Sequence, residues 1–466
     1  MFERVTAVVS LSAVVLLLVR VTSHALAPLD NPDTWFHLRL GREFLGGWSL
    51  RDPGSLSSFA TTPWVPTQWS SEVVMARVAD WFGFAGVAVL FGLLFVAFVV
   101  ATFHLCRREG DLLPATVATG VVFLGAGGSL SARPQVVSLL LFVVTVAAWR
   151  GAARTGRPPY WLVPLTWVWA TAHGLWSAAV LVGLVTCVGL ALDHRHGWRT
   201  TARFASVPVL SLVAACLTPV GPRLLTSQLA VGERSRLITE WGPTSFRTPD
   251  ALLVAAMVGV TVILWSRRGG IPWTVLLQLL VASGWMLLVS RMVSFGAILA
   301  APLFVSAVTH VLPARPRGPA ARRVERVVVW GAALACAVAL VAVAPRTADR
   351  PGGVPAAFAP ELAALPSGSA VLVEDSVGAW LEYAFPGLSP VMDGMLDAYP
   401  VDHIETFAGY VAVEPGWTGF VERSGADVAV LRAGSALTSA MQDQLGWTVV
   451  RRDGPFVYLV APGVRP

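Results

Sequence analysis

Long apolar runs recur along the chain from Val5 to Ala344, and they constrain its fold more than any other feature. A helix of about 20 apolar residues spans a bilayer because it pairs its backbone groups internally and offers lipid an apolar surface. The runs lie near 5–22, 84–105, 112–128, 135–149, 160–173, 174–192, 203–219, 251–266, 272–289, 292–312 and 327–345. They predict a polytopic α-helical membrane protein with about eleven transmembrane helices. The two runs that meet at Ala172, His173 and Gly174 also fit a re-entrant hairpin. Val5 to Val21 reads as a retained first helix, since no small-x-small cleavage site follows before Asp30. Only 13% of residues are charged, about half the roughly 25% of a soluble domain, so an ordinary soluble protein is excluded.

The charge is divided unevenly. Residues 1–345 hold 27 Arg against 14 acids, and residues 346–466 hold 7 against 14; there is no Lys, which fits the codon bias of a GC-rich genome. The Arg residues are scattered between apolar spans and form no nucleic-acid-binding motif. Arg107/Arg108, Arg150/Arg154/Arg157, Arg195/Arg199/Arg203, Arg267/Arg268 and Arg315 to Arg326 fall in alternate connections, as the positive-inside rule requires. This predicts a multi-pass membrane protein with a cytoplasmic N-terminus. The first long loop, the loop near 219–250 and the tail then lie outside. The four cysteines sit in or beside spans and form neither a disulfide framework nor a zinc motif.

Two helical patterns, Asp33 to Leu45 and Gln68 to Phe82, divide the first outer loop and read as interfacial helices. Trp35, Phe36, Trp48, Trp64, Trp69 and Trp81 fit an aromatic belt. In the tail, strand-like and helix-like segments alternate from AVLVED at Ala370 to a hairpin around Asp453 and Gly454, the pattern of a small α/β domain. It carries no dinucleotide fingerprint. The expected organisation is a membrane domain over 1–345 that includes the loop 25–83, a Pro- and Gly-rich linker over 346–360, and an extracytoplasmic α/β domain over 361–466.

Carboxylates in outer loops are the first place to look for chemistry, because a charge held near a bilayer needs a compensating role. Asp30 and Asp33 follow the first span, with His37 one turn beyond Asp33. Asp33 suits a helix N-cap, and it equally suits a general base or a metal ligand. Gln68 and Glu72, Arg133, His173, Arg223, Glu240 and Arg291 are the other outer polar candidates. Arg grips phosphate bidentately, although Arg133 and Arg291 at span ends also fit simple snorkelling. His173 fits a hydrogen-bonded structural histidine or a site residue. Asp375, Asp393 and Asp397 in the tail read as solvated surface or an ion site. Trp380, Trp417 and Trp447 read as core or as sugar-stacking rings.

The pattern resembles the GT-C superfamily of polytopic glycosyltransferases, within it a poorly characterised bacterial group whose first loop reads Asp-x-Trp-Trp-His-Leu-x-x-Gly. Asp33, Trp35, His37, Leu38 and Gly41 match that element, with Phe36 for the second Trp; Asp52, Pro53 and Ser55, then Pro63, Trp64, Gln68, Trp69 and Glu72, continue it. Arg133, Pro134 and Gln135 resemble an ARPQ element. His173 and Gly174 resemble an Asn-x-His-Gly element with Thr171 for Asn, and Pro219 and Gly221 an Asn-Pro-x-Gly element with Thr218 for Asn. Glu240 and Trp241 resemble an Ile-x-Glu-Trp element, and Asp393, Gly394, Tyr399 and Pro400 an Asp-Gly-Arg…Tyr-Pro element with Met395 for Arg.

The resemblance implies a GT-C-like fold and sugar transfer outside the cytoplasm from a polyprenyl-phosphate donor to a lipid-linked or polysaccharide acceptor. It implies Asp33 as base with Asp30 as runner-up. Arg133, Arg291 and Arg223 would hold the donor phosphate, and His37, Gln68, Glu72, His173 and Glu240 would shape the site. The leaving phosphate is already ionised, so no metal or other cofactor is expected, and the expected partners are these substrates and membrane lipids. Two other classes fit part of the pattern: a lipid or glycan transporter, which needs charge or symmetry within its spans, and an inactive scaffold that binds a glycan or protein and tolerates loss of Asp33.

Overall fold

The computed structural model describes residues 2–195, 197–227, 241–267, 270–311 and 319–464. Glu240 lies outside the described residues. The chain forms two compact units, Met1–Ala27 with Ala85–Ala348 and Pro28–Phe84 with Asp349–Pro466.

The first unit is helical. Among the described residues, seven helices are long and apolar enough to cross a membrane, and Leu112–Gly125, Leu162–Ala172 and Trp273–Leu288 are shorter apolar helices. Each of the eleven apolar runs forms a helix. Three of the four other runs are short, since 14 residues in Leu112–Gly125 rise about 21 Å against a core of about 30 Å, and the fourth, Trp198–Cys216, opens on polar turns that hold Arg199 and Arg203. Ser290–Val311 is the centre, 83% buried over its apolar window, whereas Arg4–Ala25, Pro249–Ser266 and Ala321–Thr347 are 28% buried. Those outer helices present residues such as Leu16, Ile263 and Leu334 outward, as lipid-facing surface requires. Close packing uses small residues: a Cβ on Gly92 would stand 2.6 Å from Leu340 and 3.0 Å from Ala25.

The second unit joins the first outer loop to the tail. Sequence alone groups residues 25–83 with the spans, but residues 28–84 make their compact contacts with 349–466. Strands β1 (Ala370–Val373), β2 (Ser389–Pro390), β3 (Val428–Arg432), β4 (Thr448–Asp453) and β5 (Phe456–Val460) form one sheet in the order β2-β1-β3-β5-β4. β1 runs parallel to β2 and β3, and β5 is antiparallel to both β3 and β4. The hairpin expected at Asp453 and Gly454 is the β4–β5 pair. The loop is sewn to this sheet by polar contacts: Ser57 Oγ donates to Pro390 O at 2.7 Å, Ser58 N to Ser389 Oγ at 2.7 Å, and Thr62 N to Ala398 O at 2.9 Å. The stretch read as a linker is also fixed, since Gly352 N donates to Leu29 O and Phe358 is fully buried against Tyr458.

After the first helix, α1 (Phe2–Ala25), the two helices expected in this loop form as α2 (Pro32–Leu45) and the first half of the helix Trp69–Arg107. Gly83, with φ 64° and ψ −164°, breaks the second helix and separates its loop half from the span that follows. A left-handed φ at that point is open to glycine and strained for other residues. α2 packs on the tail helix Asp375–Ala384 through Trp35 and Tyr383, whose rings lie 5.6 Å apart, and through Arg42 over the Tyr383 ring at 4.6 Å.

Candidate functional site

Asp33 stands in the first turn of α2, and the helix explains its placement. Pro32 has no N–H to satisfy and fits the first helical position, so the cap falls to Asn31, whose side chain accepts from Asp33 N at 3.1 Å. Asp33 is therefore not the N-cap. Its half-buried carboxylate sits at the positive end of the helix dipole. Asp30 is exposed beside the Leu29–Pro351 bridge.

One turn further on, His37 Nδ1 lies 2.9 Å from Glu72 Oε1, with both residues buried. This bond ties α2 to the second loop helix four residues beyond Asp33. The same crossing is closed by Gly41, where a Cβ would stand 2.1 Å from the Glu72 carbonyl oxygen. Gln68 is half-buried, and its carbonyl accepts from Glu72 N at 3.1 Å. The His37–Glu72 bond and the close approach at Gly41 thus fix the helix that carries Asp33.

A second ionisable cluster in this unit joins Asp393 and Tyr399 to Glu382, the one member of the three that the sequence did not single out. Glu382, Asp393 and Tyr399 are all at most 2% exposed. Burial and the Asp393 charge push Glu382 well above the usual carboxylate range, against the pull of Arg39. Burial also raises Asp393, while Glu382, the Met395 N–H and Tyr399 pull it back. Burial and the two carboxyls hold Tyr399 far above the usual phenol range. Burial thus biases both carboxyls toward their protonated forms. Asp393 is thus not solvated surface. The available signal was Glu382 four residues after Gly378, on the helix face where a Cβ on Gly378 would meet Met392 O at 1.7 Å. Trp380, Trp417 and Trp447 are core residues.

The basic candidates fall in the helical unit. Arg133 is buried, and its Nη2 donates to Gly128 O at 3.2 Å. His173 Nδ1 accepts from Leu175 N at 3.2 Å and from the Ser138 hydroxyl at 2.8 Å, and Ser138 Oγ accepts from Trp169 Nε1 at 2.7 Å. An Nδ1 that accepts from a backbone N–H carries no proton, which puts the ring proton of this neutral His on Nε2. Arg133 and His173 therefore share the N-terminal end of the helix Gln135–Thr155. Phe142 packs on Phe295 at 4.8 Å, in the first turn of Val293–Val311, and Arg291 immediately precedes that helix. Arg291 lies half-buried over the Trp241 ring at 5.8 Å. Arg223 is half-buried in the segment after Leu217, whose carbonyl accepts from Trp167 Nε1 at 3.4 Å. At the far end of Gln135–Thr155, Arg150 and Arg154 each bond Glu109 at 2.5 Å. Among the described residues, no group of three or more His, Cys, Asp or Glu is placed to hold a metal ion.

Comparison with solved structures gives the fold. The oligosaccharyltransferase of Archaeoglobus fulgidus in its apo form superposes with TM-score 0.56 at 11% identity, over 93% of this chain and 70% of that one. The archaeal oligosaccharyltransferase AglB from the same organism, in complex with an inhibitory peptide and a dolichol-phosphate, gives 0.54 at 11% identity over 100% and 75%. ArnT from Cupriavidus metallidurans bound to undecaprenyl phosphate gives 0.52 at 15% identity over 100% and 99%. The chain has the polytopic helical fold of these proteins with a small C-terminal sheet. No protein-family model matches the sequence, and no curated protein matches it.

Proposed function

We propose that the protein is a membrane glycosyltransferase that moves a sugar from a polyprenyl-phosphate donor to a lipid-linked or cell-envelope glycan acceptor on the extracytoplasmic face of a bacterial plasma membrane. The observation that carries this reading is Asp33 at the N-terminus of a helix held by the buried His37–Glu72 bond, in a chain whose fold spans nearly all of ArnT bound to undecaprenyl phosphate. The helical unit adds buried Arg133 and neutral His173 at one end and the Arg107, Arg150 and Arg154 ion pairs at the other. By the positive-inside rule the second end is cytoplasmic.

In this reading Asp33 accepts the acceptor hydroxyl's proton as that oxygen bonds to the anomeric carbon. The bond from carbon to phosphate oxygen breaks, and the lipid phosphate leaves with the electron pair and a second negative charge. Arg133, Arg291 and Arg223 are the candidates to meet that charge, since fixed cations lower the barrier where charge develops. Asp30 is the alternative base, and His37, Gln68, Glu72, His173 and Glu240 shape the site. The test is incubation of the purified protein in nanodiscs with a panel of labelled polyprenyl-phosphate sugars and envelope glycans. Release of polyprenyl phosphate matched by label in acceptor supports the proposal, and donor turnover that never exceeds protein-free nanodiscs contradicts it.

A further inference from the structure

At the end of the helical unit opposite Arg133 and His173, an open cleft of about 790 Å³ lies between the end of the helix Trp69–Arg107, the turn that follows it, and the start of Pro319–Thr347. Arg322, Arg326 and Trp330 follow one another at four-residue spacing and so line one helix face, while His104 and Arg108 do the same on the facing helix. Four guanidinium groups face three carboxylates. Two of those are already engaged: Glu325 by Arg107 at 2.8 Å, and Glu109 by Arg150 and Arg154 at 2.5 Å. These bonds outweigh the effect of burial and keep Glu109 below the usual carboxylate range, so it remains charged and committed. Arg108, Arg322 and Arg326 are exposed and pair with no acidic side chain among the described residues. Two like charges one turn apart repel, and the arrangement is relieved by an anion that bridges them. Beside them His104 stacks on Trp330 at 5.6 Å, and Trp330 is 57% exposed, an apolar shelf next to the charged groups.

We infer that this cleft binds a phosphate group through Arg108, Arg322 and Arg326, with Trp330 supporting the apolar part of the same ligand. Basic pockets between membrane helices suit anionic lipid headgroups, and Trp330 gives the glycerol and acyl region a surface that a free phosphate does not use. The site is separate from the Asp33 chemistry, and its test does not depend on catalysis.

The experiment is native mass spectrometry of the full-length protein in detergent, titrated with dioleoylphosphatidylglycerol, with zwitterionic dioleoylphosphatidylcholine, or with inorganic phosphate. The wild type should retain phosphatidylglycerol in preference to phosphatidylcholine, and the double variant R108Q/R326Q should bind it about tenfold more weakly or worse. Arg346→Gln, an exposed Arg in the last turn of the same helix, should leave binding unchanged, and matched melting curves keep the comparison between folded proteins. Lipid retention that is lost in the double variant and further weakened by Trp330→Ala identifies a lipid headgroup as the source. Inorganic phosphate that binds with the same dependence on Arg108 and Arg326, without selective lipid retention, identifies a soluble phosphate. Binding of all probes that is equal in wild type and R108Q/R326Q overturns the inference.

Discussion

Gly41→Ala should damage both stability and turnover, and the size of the effect follows from the crossing of the two loop helices. A Cβ at position 41 would stand 2.1 Å from the carbonyl oxygen of Glu72, 2.6 Å from its carbon and 2.8 Å from the Ala76 Cβ. Two of these three atoms are backbone, so no rotamer change relieves the clash. An ordinary contact needs roughly 3.2 Å, so α2 must move about 1 Å away, at a cost of about 1–3 kcal/mol for overpacking. That movement lengthens the 2.9 Å His37–Glu72 bond. It also displaces Asp33, which lies eight residues back and about 12 Å along the helix. A shift of about 1 Å in a reacting group lowers turnover by about 100-fold. The assay is chemical denaturation of the purified protein beside the rate of sugar transfer. Gly120→Ala is the control, since nothing stands within 4 Å of its Cβ, and it should be neutral or gain up to about 1 kcal/mol from helix propensity. If Gly41→Ala unfolds like the wild type and transfers sugar at the same rate, the claim that this crossing positions Asp33 is wrong.

Further expectations concern the buried charges. Glu382 has a folded pKa above its unfolded value, so the folded state holds the extra proton and stability falls as pH rises between the two, by about 1.4 kcal/mol per pH unit for one proton. Glu382→Gln should flatten the decline in melting temperature as pH rises above the ordinary carboxylate range, and an unchanged slope refutes the raised Glu382 pKa. Glu109 has the opposite sign, because its folded pKa is depressed: the stability it contributes is present above its unfolded pKa and lost as pH falls through the folded one, so Glu109→Gln should lose most of its effect in acid. Glu72→Ala leaves buried His37 without its hydrogen-bond partner and should destabilise by about 1–3 kcal/mol in denaturation; an effect within about 0.5 kcal/mol of zero would make the bond incidental.

What the sequence discloses depends on range. The apolar runs and the two loop helices were legible because both are local patterns, the first of length and the second of one polar and one apolar face. The strands of the tail were legible for the same reason, being short β-branched runs such as VAVLR between turn residues. Asp33 suits the cap of α2 as well as a catalytic role in sequence alone, because an Asp before an apolar stretch is a strong local signal. Pro32 outweighs it by fixing the first helical position one residue earlier. The union of loop and tail was hidden, since it rests on bonds such as Ser57 to Pro390 across 333 residues, and serine spacing carries no pairing code. The partner of His37 was hidden likewise, 35 residues away. Asp393 looked like surface because acidic tails normally are, and its burial follows from tertiary packing around Glu382.

The proposed role of Asp33 is to remove the acceptor's proton during sugar transfer. It is tested most directly by single-turnover transfer of radiolabelled sugar from a polyprenyl-phosphate donor by wild type, Asp33→Asn and Asp30→Asn at matched folded concentration. Loss of a general base lowers the rate by about 100- to 10,000-fold, so Asp33→Asn should fall by that amount while Asp30→Asn stays near wild type. Equal rates for wild type and Asp33→Asn would contradict the account, and a collapse confined to Asp30→Asn would move the base to the exposed residue ahead of the helix.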